Sequence, residues 1–82
     1  MSKASVYLTL GHIDEKHNVK EIKQELDALP GVTAVSVNDD SGRVAVDFDT
    51  TAIQSGRIER QLKEMGYEII ESKLDSELMQ GG

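Results

Sequence analysis

Two imidazoles and two carboxylates stand within six residues of one another: His12, Asp14, Glu15 and His17, in the segment Gly11-His12-Ile13-Asp14-Glu15-Lys16-His17-Asn18. Imidazole nitrogen and carboxylate oxygen form the donor set that suits Zn(II), Ni(II) or Co(II). A loop can fold all four around one ion, although their spacing matches no fixed ligand motif such as His-Glu-x-x-His on a helix. The competing reading is a solvated polar loop, because acidic residues and histidine are ordinary surface residues. Thiolate sulfur is not available. The chain has no cysteine, which excludes disulfides and zinc–thiolate sites.

Other chemistry is thinly represented. Asp39 and Asp40 lie in Asn38-Asp39-Asp40-Ser41-Gly42, which lacks the Asp-x-Asp-x-Asp-Gly pattern of a calcium loop and reads as a turn. No serine or threonine has the histidine and acid neighbours of an activated nucleophile, and no glycine-rich phosphate loop is present. The expectation is therefore a protein that is not an enzyme.

The elements that must hold the His12–His17 segment read as one unit used twice. Val6, Leu8 and Leu10 alternate with Ser5, Tyr7 and Thr9, the period of a half-buried strand. After the loop, Val19, Ile22, Leu26 and Leu29 recur at helical spacing, with Lys20, Glu21, Lys23 and Glu25 between them. Asn18 with Glu21 three residues on predicts a capping box, and Pro30-Gly31 ends the helix. Val32, Val35 and Val37 make a second strand. A turn at Asn38–Gly42 returns the chain into a third, antiparallel strand with Val44, Val46 and Phe48 on one side. A second helix begins between Thr51 and Gly56, either capped by Ser55 or preceded by a turn at Ala52-Ile53. It carries Ile58, Leu62 and Met65 inward and closes at Gly66. Tyr67–Glu71 is the fourth strand. Residues 1–73 make one domain, and residues 74–82, polar apart from Leu74, Leu78 and Met79, read as a disordered tail.

The order β-α-β-β-α-β predicts an α+β, ferredoxin-like sandwich: a four-stranded antiparallel sheet with two helices on one face. Tyr7, Thr9, Ala34, Ser36, Ala45 and Asp47 would then line the face left to water. With 82 residues, burial reaches only ~60–65% of the unfolded surface, and stability is expected on the order of 5 kcal/mol. Fifteen acidic against nine basic side chains, a net charge of −6, argue against a nucleic-acid partner. No apolar run is long enough to span a membrane, and the opening residues lack a secretory h-region, so a reducing cytoplasm is the expected compartment.

The chain resembles the heavy-metal-associated domain family of copper metallochaperones and of the amino-terminal domains of metal-transporting ATPases. The resemblance is carried by Val19, Ile22 and Leu26, by Leu29-Pro30-Gly31-Val32-Thr33-Ala34-Val35-Ser36-Val37-Asn38, by Val44-Ala45-Val46-Asp47-Phe48-Asp49 and by Met65-Gly66-Tyr67-Glu68. It covers residues 5–71. The family binds soft metals through Met-x-Cys-x-x-Cys after the first strand, and counting back from Ile22 sets Ile13 at the methionine, Glu15 at the first cysteine and Asn18 at the second. Tyr67 matches an aromatic that lies near the metal loop in many members.

The resemblance implies metal-ion binding and trafficking. The missing thiolates imply a weak site of His12, Asp14, Glu15 and His17, supported by Ile13, Asn18 and Tyr67, that takes Zn(II), Ni(II) or Co(II) and binds Cu(I) poorly. The alternative is a metal-free interaction module that kept the fold. Either way the expected partner is a protein with a basic docking surface, such as a related metal-handling domain, and the chain is expected as a monomer or weak dimer.

Overall fold

The computed structural model describes residues 3–11 and 16–76, excepting the side chains of Lys16, His17 and Ser76. Six elements follow in chain order: β1 Lys3–Leu10, α1 Lys16–Asp27, β2 Val32–Asn38, β3 Arg43–Asp49, α2 Ser55–Glu64 and β4 Ile69–Ser76. The strands form one sheet in the order β2-β3-β1-β4, with every neighbouring pair antiparallel. The β-α-β-β-α-β order and the ferredoxin-like architecture are as the periodicities imply.

Alternation along the two central strands decides where the core sits. Ala4, Val6, Leu8 and Leu10 of β1 and Val44, Val46 and Phe48 of β3 are all buried, while the intervening residues are not. The helices meet this surface with Ile22 and Leu26 from α1 and Ile58 and Leu62 from α2, which belong to the same buried cluster. Both helices therefore lie on one face. Each such side chain contributes roughly 1.5–3 kcal/mol through burial, and this cluster opposes the entropy of ordering the chain. On the other face, Tyr7, Ala34, Ser36 and Asp47 are exposed and Thr9 and Ala45 are half-buried. The Ser5 hydroxyl donates to the Asp47 carboxylate across the paired strands there.

Three local readings need correction. Asn18 is the third residue of α1, not its cap, because the helix begins two residues earlier at Lys16. Ser55 is the first residue of α2 and Gln54 takes the cap position without a side-chain bond. The turn at Ala52-Ile53 is real. The Ala52 and Ile53 amides both donate to the Asp49 carbonyl, and the Asp49 carboxylate accepts from the Thr51 amide and hydroxyl at 2.9 and 2.7 Å. Those two bonds, the hydroxyl's foremost, hold the Asp49 carboxyl below its ordinary range.

The third correction concerns length. β4 runs from Ile69 to Ser76, not over Tyr67–Glu71, and pairs Val6 with Leu74, Ser5 with Asp75 and Ala4 with Ser76. Residues 74–76, assigned from sequence to the tail, are thus strand; residues 77–82 lie outside the described residues. No helix among the described residues is long and apolar enough to cross a membrane.

Candidate functional site

Three connections meet at the end of the sheet where β1 stops. The Leu10 amide donates to the Gly42 carbonyl at 2.8 Å, tying β1 to the β2–β3 turn. The Gly11 amide donates to the Glu68 carbonyl, also at 2.8 Å, tying the first loop residue to the segment between α2 and β4. Residues 12–15 then span from Gly11 to Lys16, where α1 begins. The two stems of the loop are therefore fixed by backbone bonds on one side and by a packed helix on the other.

The α2–β4 segment owes its course to the way α2 ends. The Gly66 amide bonds the Lys63 carbonyl at 3.0 Å and the Tyr67 amide bonds the Leu62 carbonyl at 3.1 Å, with Gly66 at φ +97°. This is a Schellman ending, which requires a left-handed residue and directs the next side chain back toward the helix. Tyr67 is accordingly half-buried and packs against the core cluster that contains Leu62. Burial holds the Tyr67 phenol above its ordinary range, and the negative charge of Glu21 pushes it the same way. Tyr67 thus precedes Glu68, whose carbonyl receives the Gly11 amide at the end of β1.

Of the residues selected from sequence, His12, Ile13, Asp14 and Glu15 lie outside the described residues, and for His17 only the backbone, in the first turn of α1, is described. Asn18 is half-buried in that helix. Among the described residues, no three His, Cys, Asp or Glu side chains are grouped closely enough to hold a metal ion. None of the described polar or charged side chains is buried, so none has the water-excluded setting used to tune acids, bases and nucleophiles. The turn nearby is built by Asn38, whose Oδ1 accepts from the Asp40 amide at 3.0 Å and from the Ser41 amide at 3.4 Å. Asp39 and Asp40 are therefore turn residues whose carboxylates face solvent.

Sequence reasoning missed that the Gly42 and Glu68 carbonyls receive the Leu10 and Gly11 amides where the chain leaves β1. Any residue type supplies a backbone carbonyl, so only the turn glycine left a trace.

The profile described as the heavy-metal-associated domain matches residues 16–68. The copper chaperone CopZ of Bacillus subtilis (strain 168) is 33% identical over 54 residues, covering 66% of this chain and 78% of that protein. Among solved structures, oxidized MerP from Ralstonia metallidurans CH34 superimposes with a TM-score of 0.75 at 17% identity, covering 84% of this chain and 99% of that one. The N-terminal soluble domains of Bacillus subtilis CopA give a TM-score of 0.79 at 20% identity, covering 85% of this chain and 48% of that one. At these identities the structural matches speak to fold alone.

Proposed function

Because the chain belongs to the heavy-metal-associated domain family, we propose that it is a metal-ion carrier in which imidazole and carboxylate replace sulfur. The loop between Gly11 and Lys16, with His17 in the first turn of α1, supplies His12, Asp14, Glu15 and His17 as donors. Ile13 acts as the apolar plug, and Tyr67 buttresses the loop from the α2–β4 segment. The observation that carries this reading is the fixed pair of stems, Gly11 bonded to Glu68 and the start of α1, holding the position where the family places its ligands.

The donor set decides the ion. Cu(I) selects thiolates and thioethers, and with no cysteine in the chain it has no dithiolate to bind. Zn(II), Ni(II) and Co(II) accept nitrogen and oxygen donors, at modest affinity in a loop without a preformed cage. The ion is cargo rather than a resident cofactor, and an acidic carrier hands it to a partner whose docking surface is basic, in the reducing cytoplasm. The family's partners suggest a related metal-handling domain.

Loss of both thiolates favours a second reading, in which the same surface docks partners without metal. Titration with Zn(II), Ni(II) and Co(II), followed by amide shifts, separates the two. Carriage requires shifts confined to residues 11–18 and to Tyr67 that vanish in a His12→Ala/His17→Ala variant. No shift up to about 1 mM metal, with a partner captured in chelator, would leave the docking reading. The double variant Glu15→Cys/Asn18→Cys should create a tight Cu(I) site by chelator competition. A tight Cu(I) complex of the unaltered chain would overturn the donor argument.

A further inference from the structure

Along β4 the register with β1 runs unbroken from Thr9 opposite Glu71 to Ala4 opposite Ser76. Leu74 lies within that stretch opposite Val6, which is 0% exposed, so Leu74 points to the helix side of the sheet. It is nevertheless 55% exposed. The cause lies across from it in α2. The Ser72 hydroxyl donates to the Glu59 carboxylate at 2.9 Å, which turns the Glu59 face of α2 toward β4. One turn earlier on that face stands Gly56, where an added Cβ would meet nothing within 4 Å. The helix thus presents no side chain over Leu74.

An open cavity of about 320 Å³ results, with Ala4, Phe48, Ile53, Gly56 and Leu74 in its lining. It sits at the pole opposite Gly11, where β1 begins, β3 ends and α2 starts. Its volume is at the low end of the ~300–1,000 Å³ of small-molecule pockets, and no charged side chain lines it. One or two apolar side chains are what this lining fits.

We propose that the occupant is the segment of this chain that follows β4, Glu77-Leu78-Met79, with Leu78 in the cavity. Chain length and direction argue for it. Ser76 is opposite Ala4, which lines the cavity, and residue 78 is at most ~7 Å further on. Continuing the same register puts Glu77 opposite Lys3, which opposes Asp49 of β3 on its other side. Position 78 is then level with Thr50 and Ile53, just past the end of β3. Two-residue alternation from Leu74 puts it on the helix side, and puts Met79 on the open face. The charges agree, since Glu77 and Lys3 make an opposite-charge pair of the kind that supports strand pairing. Leu78 and Met79 are the only large apolar residues after Leu74. Register, not composition, chooses between them.

Tethering favours this segment over a separate molecule. Joined to the rim of the cavity, it is held there at an effective concentration on the order of millimolar. The apolar contact of one leucine and the added strand pairing then act without the entropy of bringing in a second molecule. Docking lengthens β4 to residue 78, covers Leu74 and closes the core at the pole away from Gly11. This inference is independent of metal carriage.

Methyl and amide NMR of the full chain in excess chelator tests it, with NOEs also collected in a mixed-label sample. The expected result is NOEs from the Leu78 methyls to Leu74, Ile53 and Gly56 that arise within one copy and persist on dilution. Leu78→Asp should abolish them and lower the urea midpoint by about 1 M, whereas Met79→Asp should move it by less than about 0.5 M. Gly56→Leu, which adds a side chain to open space, should fill the cavity and send the Leu78 methyls to the shifts of an unstructured leucine. Leu78 methyls without contacts to Leu74 or Ile53, contacts that arise only between copies, equal midpoints for Leu78→Asp and Met79→Asp, or Leu78 signals unmoved by Gly56→Leu would each overturn the proposal. Amide spectra of the variants report that they remain folded.

Discussion

Gly42→Ala is the substitution most directly tied to the assembly of the loop end. Gly42 sits at φ +71°, and a Cβ there would lie 2.8 Å from the Leu10 carbonyl oxygen. Left-handed backbone costs alanine about 1 kcal/mol or slightly more. The overlap adds about 1–3 kcal/mol, because a backbone carbonyl inside a strand pair cannot rotate aside as a flexible side chain would. The sum is about 3 kcal/mol, a large share of the ~5 kcal/mol expected for a domain of this size. Gly66→Ala is the matched control: φ is +97°, but nothing lies within 4 Å of the added carbon, so only the conformational cost remains. In urea unfolding followed by far-UV circular dichroism, a slope of about 1 kcal/mol per molar puts the Gly42→Ala midpoint roughly 3 M below the unaltered chain and Gly66→Ala roughly 1 M below. Amide shifts in the folded fraction of Gly42→Ala should centre on Leu10 and Gly11. Equal midpoints for the two variants would refute the close approach of Gly42 to Leu10, and with it the account of how the loop is held.

Two further outcomes follow from the same end of the molecule. The Tyr67 phenol should ionise above the ordinary tyrosine range, and Glu21→Gln should bring it part of the way back, since burial is the larger cause. Folding favours the neutral phenol, so its contribution to stability is complete below the unfolded pKa and is lost as pH rises through the folded value. A spectrophotometric titration unmoved by Glu21→Gln would place Glu21 elsewhere. Leu62 is 0% exposed and its carbonyl receives the Tyr67 amide, so Leu62→Ala should cost about 3–4 kcal/mol in the same urea assay; a loss under about 1 kcal/mol would mean that α2 is not packed as described.

What could be read from the residues alone was whatever burial imprints on the chain. Val6-x-Leu8-x-Leu10 and Val44-x-Val46-x-Phe48 announced two central strands because each loses one face to the core. Leu29-Pro30-Gly31 and Met65-Gly66-Tyr67 announced helix ends because left-handed turns favour glycine. The last five residues of β4 left no such imprint. Ser72, Lys73 and Asp75 are exposed, and they are strand because of main-chain bonding to β1, which any sequence can supply. Asn18 misled in the opposite way. Its spacing to Glu21 satisfies a capping pattern, yet the helix starts at Lys16. That the Gly42 and Glu68 carbonyls hold the Leu10 and Gly11 amides was hidden for the reason that hides the end of β4, since a carbonyl oxygen belongs to every residue type.

The pairing of Ala4 with Ser76 and of Leu10 with Ile69 has a practical consequence for anything attached to this molecule. Lys3 and Ser76 leave the sheet side by side, about 24 Å along β1 from the Leu10 end, at ~3.4 Å per residue. A fluorophore, an affinity handle or a neighbouring module tethered at either place hangs from the pole opposite Gly11. Beads strung through these two points would all present their tips outward, unobstructed by the string.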